Sequence, residues 1–133
     1  MRVLVTGSRN WTEEWVIEQA LYAVSPWRSL IGHNYEVTVI HGGAVGADTL
    51  ADKWAREYGY VVEVWKPEYG KYPGYLAPLK RNDAMLDSGI TVVLAFMLGT
   101  PEKGGTLYTV NGAKQRRIPV VLYNWPGDPG FKA

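Results

Sequence analysis

Five short apolar runs punctuate the chain, at residues 2–6, 36–40, 60–65, 91–96 and 118–123, each rich in Val, Ile and Leu. Runs of that length and composition read as strands buried on both faces, the kind that build parallel sheets. The stretches between them follow a different period. Within 13–25, Val16, Ile17, Ala20, Leu21 and Val24 fall on one helical face. Thr12 ahead of two glutamates marks its start, with the acids complementing the helix dipole. After the second run, Ala47, Leu50, Ala51, Trp54, Ala55 and Tyr58 repeat at helical spacing. Leu79, Met85 and Leu86 mark a third helix, and Leu107, Val110 and Ala113 a fourth.

Strand and helix therefore alternate from end to end, without an internal repeat. The economical fold is a Rossmann-like α/β three-layer sandwich around a five-stranded, mostly parallel sheet. Two residues point to the edges: Glu63 puts a charge inside the third strand, and Pro119 near the start of the fifth lacks an N–H. The order 3-2-1-4-5 satisfies both and opens a crevice beyond the carboxyl ends of strands one and four. One domain over 1–124 is expected, followed by a turn-rich tail over 125–133. Trp125 and Phe131 are too apolar for an idle tail, so they are expected to dock on the domain or on a second subunit in a homo-oligomer. Residues 66–76, rich in Tyr, Gly and Pro, read as a surface loop near the crevice.

Composition narrows the picture. The 133 residues suit one domain, and 47% hydrophobic with 20% charged residues is globular composition. No apolar run approaches the ~20 residues of a bilayer span, and a strand opening at Arg2 leaves no room for a leader. With no cysteine there is neither a disulfide framework nor a thiolate metal site. Together these set the expectation of a cytoplasmic protein. A net charge of +1 argues against a strongly electrostatic nucleic-acid binder. Any anion site has to be built locally.

Three glycine-rich segments follow strands one, two and four: Thr6-Gly7-Ser8-Arg9, the block from His41 through Gly42, Gly43, Ala44, Val45, Gly46 and Ala47 to Asp48, and the block from Gly99 to Thr106. The fold gathers all three at one rim. Glycine lets backbone approach an anion closely, and a following helix N-terminus points free N–H groups at it. Replacing Gly43 or Gly46 by Val is then expected to abolish binding while sparing the sheet. The dinucleotide fingerprint is missing from the first strand, which offers only Gly7, and no Walker A lysine follows the glycines. A standard NAD site and a P-loop ATPase are excluded, and no cofactor is expected.

Arg9 and Arg81 suit charge-assisted contacts to phosphate, whereas Lys80 reads as solvated. Asp48 either complements the dipole of its own helix or bonds a ribose hydroxyl or a loop N–H. His41 ends the second strand at the rim, as a ligand contact or as a satisfied structural histidine, and His33 reads as surface. Neither histidine has a partner at metal-ligand spacing, so no metal is expected. Ser8 has no histidine–acid partner for a nucleophilic triad.

These blocks, with Arg81-Asn82-Asp83-Ala84-Met85 and Gly104-Gly105-Thr106, resemble the SLOG superfamily, most closely its small YspA-like branch, over about the whole domain. The resemblance implies a nucleotide or nucleotide-derived ligand held by Gly7, Ser8, Arg9, Gly42, Gly43, Ala44, Gly46, Asp48, Arg81, Asn82, Gly104, Gly105 and Thr106. The superfamily includes the lonely-guy phosphoribohydrolases, in which a glutamate after the glycine block is catalytic and an arginine on the preceding helix assists. Arg81 is similar to that arginine, but Thr109 stands where the glutamate is expected. Threonine can neither carry the charge nor act as a general base near neutral pH. Glu102 or Asp83 would have to be brought to the ribose in its place, which makes Arg81 and Glu102 the catalytic candidates.

Three functions follow: a small-molecule nucleotide-binding protein or sensor, a phosphoribohydrolase-like enzyme, and a single-strand nucleic-acid binder stacking bases on Trp11, Tyr69, Tyr72 and Tyr75. The missing glutamate weakens the second, and the near-neutral charge weakens the third. A scaffold whose glycines are only turns is the plain alternative.

Overall fold

A computed structural model describes residues 1–24, 36–99 and 104–125. Nine elements alternate: β1 (Arg2–Gly7), α1 (Glu14–Ala23), β2 (Thr38–His41), α2 (Ala47–Glu57), β3 (Val61–Val64), α3 (Ala77–Leu86), β4 (Val92–Leu98), α4 (Gly105–Gln115) and β5 (Val120–Trp125). The sheet runs β3-β2-β1-β4-β5 with every pairing parallel. This is the expected order, with Glu63 and Pro119 at the two edges. Strand ends differ from the apolar runs by at most two residues. Both β4 and β5 reach two residues further because their carboxyl ends stay paired through Leu98 and Trp125. Glu13, not Thr12, caps α1.

Alternation along the strands divides the core in two. Val3, Val5, Val39, Leu94 and Phe96 pack with α1 and α2. Leu4, Ile40 and Val93 turn the other way, against Met85 and Leu86 of α3 and Ala113 of α4. In the first layer Trp11 meets Phe96 edge-on at 5.4 Å, and Phe96 stacks on Tyr123 at 5.0 Å. Trp11 is only 2% exposed, so it cannot serve as a stacking platform. The slot between α1 and the sheet needs a large ring, and the Trp11 Nε1–H is satisfied by the Glu13 carbonyl at 2.9 Å. Trp125 closes β5 and docks edge-on against Trp15 of the same chain at 5.5 Å. Phe131 and His33 lie outside the described residues.

Across the sheet's amino-terminal end, Arg2 grips Glu63 with two parallel bonds of 2.9 and 3.0 Å. The opposite, carboxyl end carries the loops. The reversal of winding between β1 and β4 leaves an opening there, since β1 leads to α1 on one face and β4 to α4 on the other.

Candidate functional site

That opening is a crevice of about 680 Å³. Gly7, Ser8 and Arg9 come to it from the end of β1, and Gly42, Ala44 and Asp48 from the β2–α2 turn. Arg81 and Asn82 reach it from α3, and Gly104, Gly105 and Thr106 from the start of α4. Eleven of the thirteen residues expected to bind ligand therefore share one lining. Gly43 and Gly46 are not among the lining residues, and Glu102 is outside the described residues.

The β2–α2 turn spends the N–H groups of Gly42, Gly43 and Ala44 on its own side chains. Asp48, 7% exposed, folds back over the turn, and its Oδ2 accepts the N–H groups of Gly42 at 3.1 Å and Ala44 at 3.2 Å. Gly43 N–H donates to His41 Nδ1 at 2.9 Å. The ring's proton is thereby assigned to Nε2, which reaches Asp52 Oδ2 at 2.7 Å. Asp52 also accepts from Arg56 at 2.7 Å, and Arg56 first, then His41, hold its carboxyl below the ordinary range. His41 is thus a buried structural histidine. Asp48 therefore makes the expected bonds to loop N–H groups while standing in the first turn of α2.

Gly46 is required for a related reason. Its φ of +83° is left-handed, and a Cβ there would stand 2.4 Å from the Ser8 carbonyl oxygen and 2.5 Å from that of Arg9. The close approach lets Ala47 N–H donate to the Ser8 carbonyl at 3.1 Å, which locks the β1 and β2 loops together. The expectation that Gly46→Val would spare the fold is therefore corrected, because the new side chain meets backbone rather than an empty anion site. Gly42 makes room for something else: its Cβ would lie 2.5 Å from Arg81 Nη1.

Arg81 lies across that space. Its Nη1 donates to the carbonyls of Gly42 at 2.8 Å and Trp65 at 3.1 Å, and its Nε donates to Asn82 Oδ1 at 2.7 Å. Nη2 meets no acceptor among the described residues. Burial pushes the guanidinium's pKa down against the pull of Asp48 and Tyr69, and the like charge of Arg9 adds to the depression. Arg9 is exposed and makes no hydrogen bond or ion pair among the described residues. Two guanidinium groups thus line one crevice. Asn82 is 6% exposed. Its Oδ1 is taken by Arg81, so its Nδ2 faces Gly105, 3.8 Å from where a Cβ would stand, with no acceptor among the described residues.

Free N–H groups also sit at the start of α4. The helix begins after Gly104, with no side-chain cap, and Tyr108 N–H is the first to be satisfied, by the Gly104 carbonyl at 3.0 Å. Those of Gly105, Thr106 and Leu107 are the unpaired donors that every helix start presents, and here they line the crevice beside Arg81 and Asn82. Thr109 is 1% exposed and spends its hydroxyl on the Gly105 carbonyl at 2.9 Å. Asp83 accepts the Tyr108 hydroxyl at 3.0 Å and is not among the lining residues. Asp48 is the one carboxylate lining the crevice among the described residues. Among them, too, no cluster of His, Asp and Glu is arranged to hold a metal, and no helix is long and apolar enough to cross a membrane.

The sequence reading missed the apolar part of the lining: Pro78, Leu79, Met85, Met97, Leu98 and Leu107. The signal was available in Pro78, three residues ahead of Arg81, and in Leu79, three ahead of Asn82, each on nearly the same face of α3 as its partner.

Burial pushes the Asp48 carboxyl up, against the pull of His41, the two N–H groups and Arg81. A folded-state value above the unfolded one means a proton is taken up on folding in mild acid, and that contribution fades as pH rises past the ordinary carboxylate range. Asp48→Asn, which keeps an acceptor, is expected to lose less than about 1 kcal/mol at neutral pH and to narrow the gap as pH rises. Asp48→Ala strands two N–H groups and is expected to cost about 2–3 kcal/mol. Urea unfolding of both variants between pH 4 and 8 checks this, and equal losses would show that the acceptor is not what Asp48 supplies.

A family model described as the YspA, cpYpsA-related SLOG family matches residues 1–72. The Gene 61 protein of Mycobacterium phage D29 is 38% identical over 127 residues, covering 92% of this chain and 95% of its own. Among solved structures, the X-ray structure of TM1055 superposes with a TM-score of 0.58 at 22% identity, over 90% of this chain and 71% of that one. This last likeness is one of fold.

Proposed function

The chain belongs to the YspA, cpYpsA-related SLOG family, and from that membership and the crevice we propose that it binds a phosphate-bearing nucleotide or nucleotide derivative without hydrolysing it. The observation that carries this reading is that Arg9 and Arg81 line one crevice together with the start of α4, whose first N–H groups are unpaired. Two guanidinium groups beside an uncapped helix start favour an anion. Arg81 Nη2, Asn82 Nδ2 and the N–H groups of Gly105 and Thr106 supply the donors to phosphate. Asp48, its Oδ2 occupied by the loop, keeps acceptor capacity for a ligand hydroxyl. The β2–α2 turn acts as the rigid mount for Asp48 and Arg81 rather than as the phosphate cradle.

Turnover is not supported. Where the related hydrolases carry a glutamate, this chain buries Thr109 against a carbonyl, and Asp83 is engaged by Tyr108. Nucleic-acid binding loses the Trp11 platform. At a hundredfold excess over Kd, a ligand binding only the folded state adds about 2.7 kcal/mol, which raises Tm by on the order of 10 °C for a chain of this size. We expect that shift from at least one nucleoside monophosphate, with no free base or ribose 5-phosphate detected chromatographically after long incubation. A flat melting response across the panel would sink the binding reading. Base release that vanishes in Arg81→Ala would make the protein an enzyme.

A further inference from the structure

The phosphate donors use only part of the crevice. About 680 Å³ lies within the ~300–1,000 Å³ range of small-molecule and cofactor sites, and a phosphate alone would leave most of it as water against apolar walls. Those walls are Pro78 and Leu79 at the start of α3, Met97 and Leu98 at the end of β4, and Leu107 on the first turn of α4. Above them stands Tyr75, two residues ahead of α3, lining the crevice while 81% exposed.

Its neighbours on the same loop sharpen the point. The ring of Tyr72 is covered by ammonium groups, Lys71 at 5.4 Å and Lys80 at 6.0 Å. Tyr75 has neither a cation nor another ring against it among the described residues, and it lines the crevice with most of its surface exposed. An aromatic face beside apolar walls, next to a cationic end, complements a ligand with one flat unsaturated part and one anionic part.

We propose that Tyr75 is the specificity-determining residue of this site, stacking on the base of a mononucleotide whose phosphate lies at Arg81, Arg9 and the start of α4. This rests on the phosphate-ligand reading and goes further, because it assigns discrimination between ligands to one exposed ring outside the glycine blocks. Stacking on an aromatic side chain tolerates any base, so Tyr75 would favour nucleotides over sugar phosphates rather than one base over another.

Isothermal titration calorimetry of the full chain tests it, with ribose 5-phosphate and the 5′-monophosphates of adenosine, guanosine, cytidine and uridine as probes. The best nucleotide is expected to bind the wild-type protein at least about tenfold more tightly than ribose 5-phosphate. Tyr75→Ala should remove about that tenfold from the nucleotide and leave ribose 5-phosphate unchanged, while Tyr75→Phe should retain it. Equal wild-type affinities overturn the proposal while sparing the phosphate site, as does a Tyr75→Ala loss shared equally by both ligands or absent from both. If no probe binds the wild-type protein, the phosphate reading falls and this one falls with it.

Discussion

Gly46→Val is expected to lower stability by about 4 kcal/mol or more, a large share of the ~5–15 kcal/mol that holds a domain of this kind together. Two effects add. A β-branched residue is strained at φ +83°, at a cost of about 1–3 kcal/mol. Its Cβ also overlaps the carbonyl oxygens of Ser8 and Arg9, at 2.4 and 2.5 Å. Those are backbone atoms, and moving them breaks the Ala47 N–H bond to Ser8 and shifts the turn that leaves β1, where Ser8 N–H is tied to the Phe96 carbonyl at 2.8 Å. Gly43 provides the internal comparison. It is also left-handed, at +75°, but its Cβ would meet only the Val64 side chain, at 3.1 Å, so Gly43→Ala should cost about 1–2 kcal/mol. Urea midpoints by circular dichroism measure both. A Gly46→Val midpoint within about 1 kcal/mol of wild type would mean the two loops are free to separate.

This pair also marks where sequence reading ran out. Sheet order was legible because Glu63 and Pro119 are local edge signals, and the crevice followed from topology. Glycine content correctly located the rim, but it could not distinguish glycine that spares room for a ligand from glycine that lets two loops or a guanidinium approach. That distinction depends on atoms far apart in the chain, as Gly42 and Arg81 are. The same holds for the N–H groups of the β2–α2 turn. Whether they are free turns on Asp48 and His41 folding back onto them, which no spacing rule encodes. Trp11 was misread because it sits between Asn10 and Thr12, a polar context, while the ring that buries it, Phe96, is on another strand. Arg81 was singled out over Lys80 by its guanidinium and its place, and again by the resemblance, but only the geometry reveals that Arg81 turns inward while Lys80 reaches Tyr72.

Arg81→Ala is expected to weaken nucleotide and ribose 5-phosphate binding alike by about a hundredfold or more. The guanidinium is half-buried and already oriented by three bonds to Gly42, Trp65 and Asn82, so little ordering remains to oppose binding at Nη2. Removing it also frees Asn82 Oδ1 and so loosens the amide whose Nδ2 faces Gly105. Charge-assisted bonds to a desolvated partner are worth about 2–5 kcal/mol by truncation, and the hundredfold loss is about 2.7 kcal/mol. Folding is affected less. The carbonyls of Gly42 and Trp65 lose a donor, but Trp65 N–H still pairs with the His41 carbonyl at 2.9 Å, so about 1–2 kcal/mol of stability should go. Arg81→Lys separates charge from geometry, since an ammonium cannot satisfy the two carbonyls and Asn82 while also donating to phosphate. It should recover only a part of the affinity. Arg9→Ala supplies the contrast: an exposed side chain with no bonds among the described residues should leave Tm unchanged and lower affinity about tenfold, more at low salt than at high. Calorimetric titration paired with melting curves separates the two quantities for each variant. Unchanged affinity in Arg81→Ala, with the fold intact, would mean that the anion is held elsewhere and that Arg81 serves only to tie the β2 loop to the end of β3.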